Sequence, residues 1–142
     1  MLVPAPFFKK IDHLGIAVAS LAEALPRYEA LLGRPCEHIE VVEDQKVRAA
    51  FFTVGESHFE LLEATDPTSA IARYLQKNRG GVHHVCVEVT DVAAVLAHYK
   101  AQGLRLIDEV PRMGANGKII AFVHPAATGG ILLELSQPAG DP

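Results

Sequence analysis

The chain has 142 residues, enough for one domain with a packed interior, and its 49% hydrophobic and 21% charged residues are ordinary for such a domain. A net charge of −4 without any basic run argues against nucleic-acid binding. No stretch approaches the roughly 18 apolar residues of a membrane span. Two cysteines without a CxxC motif, and an N-terminus without a signal-like apolar segment, predict a reduced, cytoplasmic protein.

An internal repeat organises the sequence from its first predicted strand onward. Residues 12–30 align with residues 83–101 without gaps, six of the 19 columns are identical, and His13 falls opposite His84. Each copy predicts a strand and then a helix, because alternating apolar residues give way to an apolar pattern of helical period. Ser20 and Asp91 stand where the N-caps of the two helices belong.

Further predicted strands complete two βαβββ modules, at about 10–64 and 81–137, within a single α+β domain of residues 1–142. The additional strands are predicted over 38–44, 47–54 and 58–64 in the first module, and over 105–110, 118–125 and 131–137 in the second. A linking helix is predicted over about 66–78, with Asp66 as its N-cap and Pro67 as its first residue.

The adjacent histidines of GGVHHVCVEV point to opposite faces of their predicted strand, because successive side chains alternate. His84 therefore shares a face with Cys86 and Glu88, while His83 points the other way. The same alternation places Glu60 on the polar face of the last strand of its module.

Four side chains occupy equivalent places in the two modules: His13, Glu60, His84 and Glu134. A lone strand histidine is more often a hydrogen-bonded core residue than a ligand, and a lone glutamate is often partly solvated. Their equivalent placement favours a metal site instead. Two imidazoles and two carboxylates suit a mid-row divalent ion such as Co, Ni, Mn or Zn, with two positions left for substrate.

Several stretches resemble the methylmalonyl-CoA epimerases, a family of the vicinal oxygen chelate superfamily, which has the glyoxalase fold. They are KIDHLGIAV, ELLEATDPTSAIARYLQKNRGGVHHVCVEV, LIDEVPRMGANGKIIAFVHP and TGGILLELSQP, and the resemblance spans about residues 10–137. It implies modules whose sheets curl into a cup around one divalent ion per chain, cobalt first, held by His13, Glu60, His84 and Glu134. It also implies a homodimer that interconverts (R)- and (S)-methylmalonyl-CoA through an enolate.

One position departs from the family pattern. Many members carry a second catalytic glutamate about where this chain has Ala49. Epimerisation requires a proton to leave one side of C2 and to return on the other. We therefore expect Glu134 to act on one side and Glu60, at the equivalent point of the repeat, to act on the other; Glu43 in the nearby loop is a further candidate.

An acyl-CoA substrate carries several phosphates and needs cations on this acidic chain. Lys118 and Arg112, which flank the glycine-rich MGANGK loop, are the predicted substrate-binding residues, with Lys77 and Arg79 as further candidates. A solvated surface charge is the simpler interpretation of any one of them.

Other functions known for this fold are alternatives. Glyoxalase I shares the four ligands but acts on a glutathione hemithioacetal, so substrate assays distinguish it. Non-catalytic ligand-binding members need no metal, so metal content distinguishes them. Extradiol dioxygenases use iron with two histidines and one carboxylate, and a fourth ligand argues against that assignment.

Overall fold

Two units of the chain, each with its own apolar core, carry the repeated elements. The computed structural model describes residues 7–139; residues 1–6 and 140–142 of the predicted domain lie outside this range. The N-terminal unit comprises residues 13–83, and the C-terminal unit comprises residues 84–139 together with 7–12. The boundaries fall inside strands, so the first residues of the first strand belong to the C-terminal unit.

The N-terminal unit follows the predicted order of strand, helix and three strands, and ends with a second helix. Its elements are β1 (Phe8–Ala17), α1 (Leu21–Leu32), β2 (His38–Val42), β3 (Val47–Val54), β4 (Ser57–Ala64) and α2 (Ala70–Lys77). The strands lie in the order β2-β3-β4-β1. Neighbours are antiparallel except for the parallel pair of β4 and β1.

Apolar side chains on one face of these strands pack against α1. The core consists of Ile16, Leu21, Ala24, Ala50, Phe52 and Leu61. Helix α1 begins where predicted, since the Ser20 hydroxyl accepts a hydrogen bond from the Glu23 amide at 3.3 Å. It ends at Gly33, whose φ of 65° is the left-handed conformation that glycine adopts without strain. Because side chains alternate along a strand, the polar residues fall on the opposite face.

The C-terminal unit repeats this plan. Its elements are β5 (Gly81–Val89), α3 (Val92–Ala101), β6 (Arg112–Met113), β7 (Ile119–Val123), α4 (Pro125–Thr128) and β8 (Leu133–Gln137). The strands lie in the order β5-β8-β7-β6, with β5 parallel to β8 and the other pairs antiparallel. The core beneath α3 consists of Val89, Val92, Val95, Leu96, Ala121, Val123 and Leu135. Asp91 caps α3 as predicted, accepting from the Ala94 amide.

Three predicted elements differ from the structure. Helix α2 begins at Ala70, with Ser69 as its N-cap, because the Asp66 carboxylate instead binds the Thr68 amide at 2.7 Å and closes a turn. Residues 105–110 form no strand but make a single bridge, between Leu106 and Val123. The strand predicted over 118–125 ends at Val123, because His124 becomes the N-cap of the short helix α4 and Pro125 its first residue.

The predicted plan of two βαβββ modules is confirmed, since each unit contains a strand, a helix and three further strands. Within the described residues, no helix is long and apolar enough to cross a membrane.

Candidate metal centre

A buried histidine and glutamate meet on the polar face of the N-terminal unit. Gly15 of β1 pairs with Glu60 of β4. His13 lies two residues before Gly15 and therefore points to the same face of the sheet. Because glycine has no side chain, the His13 ring can approach the carboxylate. His13 Nδ1 lies 2.9 Å from Glu60 Oε2, and the two residues are only 5% and 8% exposed.

A second buried pair lies on the corresponding face of the C-terminal unit. Strand pairing sets Cys86 beside Glu134, and His84 shares the face of Cys86. His84 Nε2 is 3.0 Å from Glu134 Oε1, with both residues buried. His83 packs instead edge-on against Tyr74, at 5.2 Å between ring centroids. The predicted difference between the adjacent histidines is therefore confirmed.

An aromatic ring contacts the second pair, and a cation lies on that ring. Phe122 of β7 pairs with Glu134, and its ring meets the His84 ring edge-on at 5.9 Å. The Arg112 guanidinium lies 5.4 Å above the same phenyl ring, a cation–π distance, and its Nε is 3.4 Å from Asp108. Arg112, predicted as a substrate-binding residue, thus contacts a ring that contacts one of the candidate ligands.

Lys118, the other predicted substrate-binding cation, takes part in a largely buried ion pair. Its Nζ lies 2.9 Å from Asp12 Oδ1; Asp12 is 1% exposed and the lysine side chain 24% exposed. Sequence reasoning did not single out Asp12, although a carboxylate within an otherwise apolar strand, directly before His13, was the available signal. The alternative cations Lys77 and Arg79 are exposed residues of the N-terminal unit.

Each unit thus offers one imidazole and one carboxylate, both withdrawn from water. Burying an ionised carboxylate is costly unless it is paired or binds a metal. Mid-row divalent ions such as cobalt bind imidazole nitrogens and carboxylate oxygens. The two histidines and two glutamates therefore have the chemistry to hold such an ion. Glu88 shares the face of His84 but pairs with Lys9 at 3.2 Å, so its charge is already compensated.

Comparisons with known proteins identify the family of the chain. The family model described as Glyoxalase/Bleomycin resistance protein/Dioxygenase superfamily matches residues 12–122. Human mitochondrial methylmalonyl-CoA epimerase is 36% identical over 129 residues, which are 90% of this chain and 73% of the human protein.

Solved structures give the same result. Methylmalonyl-CoA epimerase from Mycobacterium tuberculosis superposes with a TM-score of 0.91 at 34% identity, covering 98% of this chain and 94% of that one. A methylmalonyl-CoA epimerase in complex with methylmalonyl-CoA and NH4+ superposes with a TM-score of 0.89 at 37% identity, covering 94% and 96% of the two chains.

Proposed function

The chain belongs to the methylmalonyl-CoA epimerases of the Glyoxalase/Bleomycin resistance protein/Dioxygenase superfamily, and from that premise we propose that it interconverts (R)- and (S)-methylmalonyl-CoA by proton transfer at C2. The observation that carries the proposal is the pair of buried histidine–glutamate contacts, one in each unit. The substrate class is taken from the related methylmalonyl-CoA epimerases. The imidazole and carboxylate donors suit a reaction that passes through an enolate.

His13, Glu60, His84 and Glu134 are the proposed ligands of one divalent ion. When bound, such an ion supplies several kcal/mol of stabilisation to negative charge that develops on a thioester oxygen. Two carboxylates also balance the charge of a divalent cation, and burial strengthens this interaction. Cobalt is the proposed ion, with nickel, manganese and zinc as alternatives.

Glu134 is the proposed base on one side of C2. Its carboxylate removes the C2 proton, and the electron pair of the C–H bond moves into the enolate of the thioester. Phe122 of β7 pairs with Glu134, and both residues are buried. Glu60 is the counterpart that the repeat predicts for the other side of C2, and Glu60→Gln tests this role because the amide retains an oxygen ligand.

Arg112 and Lys118 are the proposed contacts for the acyl-CoA substrate. Arg112 is supported by its position above Phe122, and Lys118 by a side chain that still reaches solvent while it pairs with Asp12. A contact to groups remote from C2 binds ground state and transition state alike. We expect Arg112→Ala to raise KM about tenfold, the effect of roughly 1.4 kcal/mol, with little change in kcat.

We further propose a cytoplasmic homodimer. Both cysteines are free thiols, as expected in a reducing compartment. Light scattering of the purified protein measures the oligomeric state, and metal analysis after gentle purification identifies the ion.

The central test is an assay of the cobalt-loaded protein with one epimer of methylmalonyl-CoA. We expect the other epimer to accumulate until the two reach equilibrium, and deuterium to enter C2 when the solvent is D2O. Activity on the glutathione hemithioacetal of methylglyoxal, without any on the CoA ester, would instead assign the protein to glyoxalase I chemistry.

A further inference from the structure

A third histidine–carboxylate contact lies on the polar face of the N-terminal unit, on strand β2. His38 Nε2 is 3.4 Å from Glu40 Oε1, and these side chains are 54% and 29% exposed. The His38 ring stacks on Phe51 at 5.5 Å with an interplanar angle of 25°. Phe51 thus holds the His38 ring in place, and His38 in turn contacts Glu40. The Glu40 side chain remains partly exposed to solvent.

Strand register connects Glu40 with the candidate ligand on β4. Glu40 pairs with Ala49 of β3, and Ala49 pairs with Leu62 of β4. Paired residues point to the same face, and Glu60 lies two residues before Leu62, so Glu40 and Glu60 share that face. Among the described residues of β1 to β4 in the N-terminal unit, they are the two carboxylates on it.

The side chain between Glu40 and β4 is small. Two strand spacings, about 10 Å, separate the backbone of β2 from that of β4. In the row that contains Glu40, only the methyl group of Ala49 stands between. An extended glutamate side chain covers about one of these two spacings. Glu60 lies in the adjacent row, beside Phe51. A substrate carbon held above the Ala49 methyl group would therefore lie within reach of the Glu40 carboxylate.

Glu40 is the more solvent-accessible of the two carboxylates on this face. Its side chain is 29% exposed, whereas Glu60 is 8% exposed and its Oε2 contacts His13. A base used in both directions must regain its starting protonation state after each turnover. The partly exposed Glu40 can do so by exchange with water.

Building on the proposed epimerase function, we propose that Glu40, rather than Glu60, is the catalytic acid–base on the N-terminal side of C2, with His38 as its positioning residue. Glu134 takes the proton from C2, and the C–H electron pair forms the enolate. The protonated Glu40 then donates its proton to the opposite side of C2. The new C–H bond consumes the enolate electron pair, and both carboxyl groups return to their starting states by exchange with solvent. Glu60 remains a metal ligand.

The test follows each epimer separately in D2O with the metal-loaded protein. In Glu40→Gln, we expect inversion to fall by about 100-fold or more, the usual contribution of a general acid–base. Glu134 still removes a proton from one epimer and returns deuterium to the same side. That epimer therefore gains deuterium with its configuration retained, while the other gains none. A misfolded protein would lose exchange from both.

The control is Glu56→Gln, an exposed glutamate in the turn between β3 and β4, which we expect to invert both epimers at the wild-type rate. The Glu60→Gln protein should continue to exchange the C2 proton and to invert both epimers. We expect its rates to fall only to the extent that the amide binds the ion less tightly than the carboxylate does. A Glu40→Gln protein that inverts at the wild-type rate overturns the assignment alone. A wild-type protein that exchanges no C2 proton overturns the proposed function and this assignment together.

Discussion

His83 and His84 are neighbours in sequence but face different surroundings. His84 contacts Glu134 and Phe122, whereas His83 packs on Tyr74. We predict that His84→Ala removes metal binding and activity, because it deletes a ligand atom, and that His83→Ala retains most of both. Titration of each variant with cobalt measures this difference. A His84→Ala protein that still binds the ion, beside a His83→Ala protein that does not, would contradict the ligand assignment.

The buried carboxylate of Asp12 gives Lys118 a role in stability beside its proposed role in substrate binding. Removing one partner of a buried ion pair leaves the other charge uncompensated in the protein interior, where it is poorly solvated. We predict that Lys118→Ala lowers the free energy of unfolding by roughly 2 kcal/mol, less than for a fully buried pair because the lysine is partly exposed.

Urea denaturation measures that loss, and Lys100→Ala provides the matched control. Lys100 Nζ lies 3.6 Å from Glu109 with both side chains exposed, so its removal should cost less than about 0.5 kcal/mol. Equal losses in the two variants would show that the Asp12 carboxylate does not depend on Lys118.

At the scale of elements, a carboxylate just before β2 joins that strand to the end of β3. Glu37 accepts hydrogen bonds from the Thr53 hydroxyl at 2.6 Å and the Thr53 amide at 3.1 Å. These bonds favour the ionised form, and they lower the Glu37 pKa below its ordinary value of 4.5. Because the folded-state pKa is depressed, the resulting stabilisation is present above pH 4.5 and is lost as the pH falls through the folded-state pKa.

We therefore predict that the urea midpoint of the wild-type protein falls more steeply below pH 4.5 than that of Glu37→Gln. Thr53→Val, which deletes the hydroxyl donor, should flatten the same part of the profile. Parallel profiles for the wild type and both variants would mean that the Glu37 carboxylate does not stabilise the folded state.

Elements with strong local signals could be predicted from sequence, and elements held by distant partners could not. Ser20 and Asp91 bind amides three residues away, so the starts of α1 and α3 are visible in the sequence. Asp66 resembles a cap equally well but closes a turn with Thr68. Residues 105–110 have the composition of a strand, yet the Asp108 carboxylate binds the Phe122 amide and replaces regular pairing.

The candidate site shows the same division. Period-two alternation within a repeat was sufficient to select His13, Glu60, His84 and Glu134, because the side of a strand follows from counting residues. The contact between Arg112 and the Phe122 ring forms only when their strands become neighbours. No local sequence pattern encodes that contact. Glu40 illustrates this limit, since its relation to Glu60 appears only once β2, β3 and β4 are in register.

At the scale of the whole molecule, the number of bound ions tests whether the two histidine–glutamate pairs act together. We predict one divalent ion per chain, because two carboxylates balance one doubly charged ion and a single pair leaves most coordination positions to water. His13→Ala alters the N-terminal unit and His84→Ala the C-terminal unit. Each substitution should then reduce the metal content from one ion per chain to none. Independent sites would predict two ions in the wild type and one in each variant.

Metal analysis by mass spectrometry after dialysis counts the ions, and thermal unfolding gives a second readout. An ion that binds only the folded state stabilises it by about 2.7 kcal/mol at a concentration 100 times its Kd. We expect cobalt to raise the Tm of the wild type, a chelator to reverse the rise, and neither to affect His13→Ala or His84→Ala. A Tm that rises with cobalt in one single-unit variant would show that one pair binds an ion alone, and the shared site would have to be abandoned.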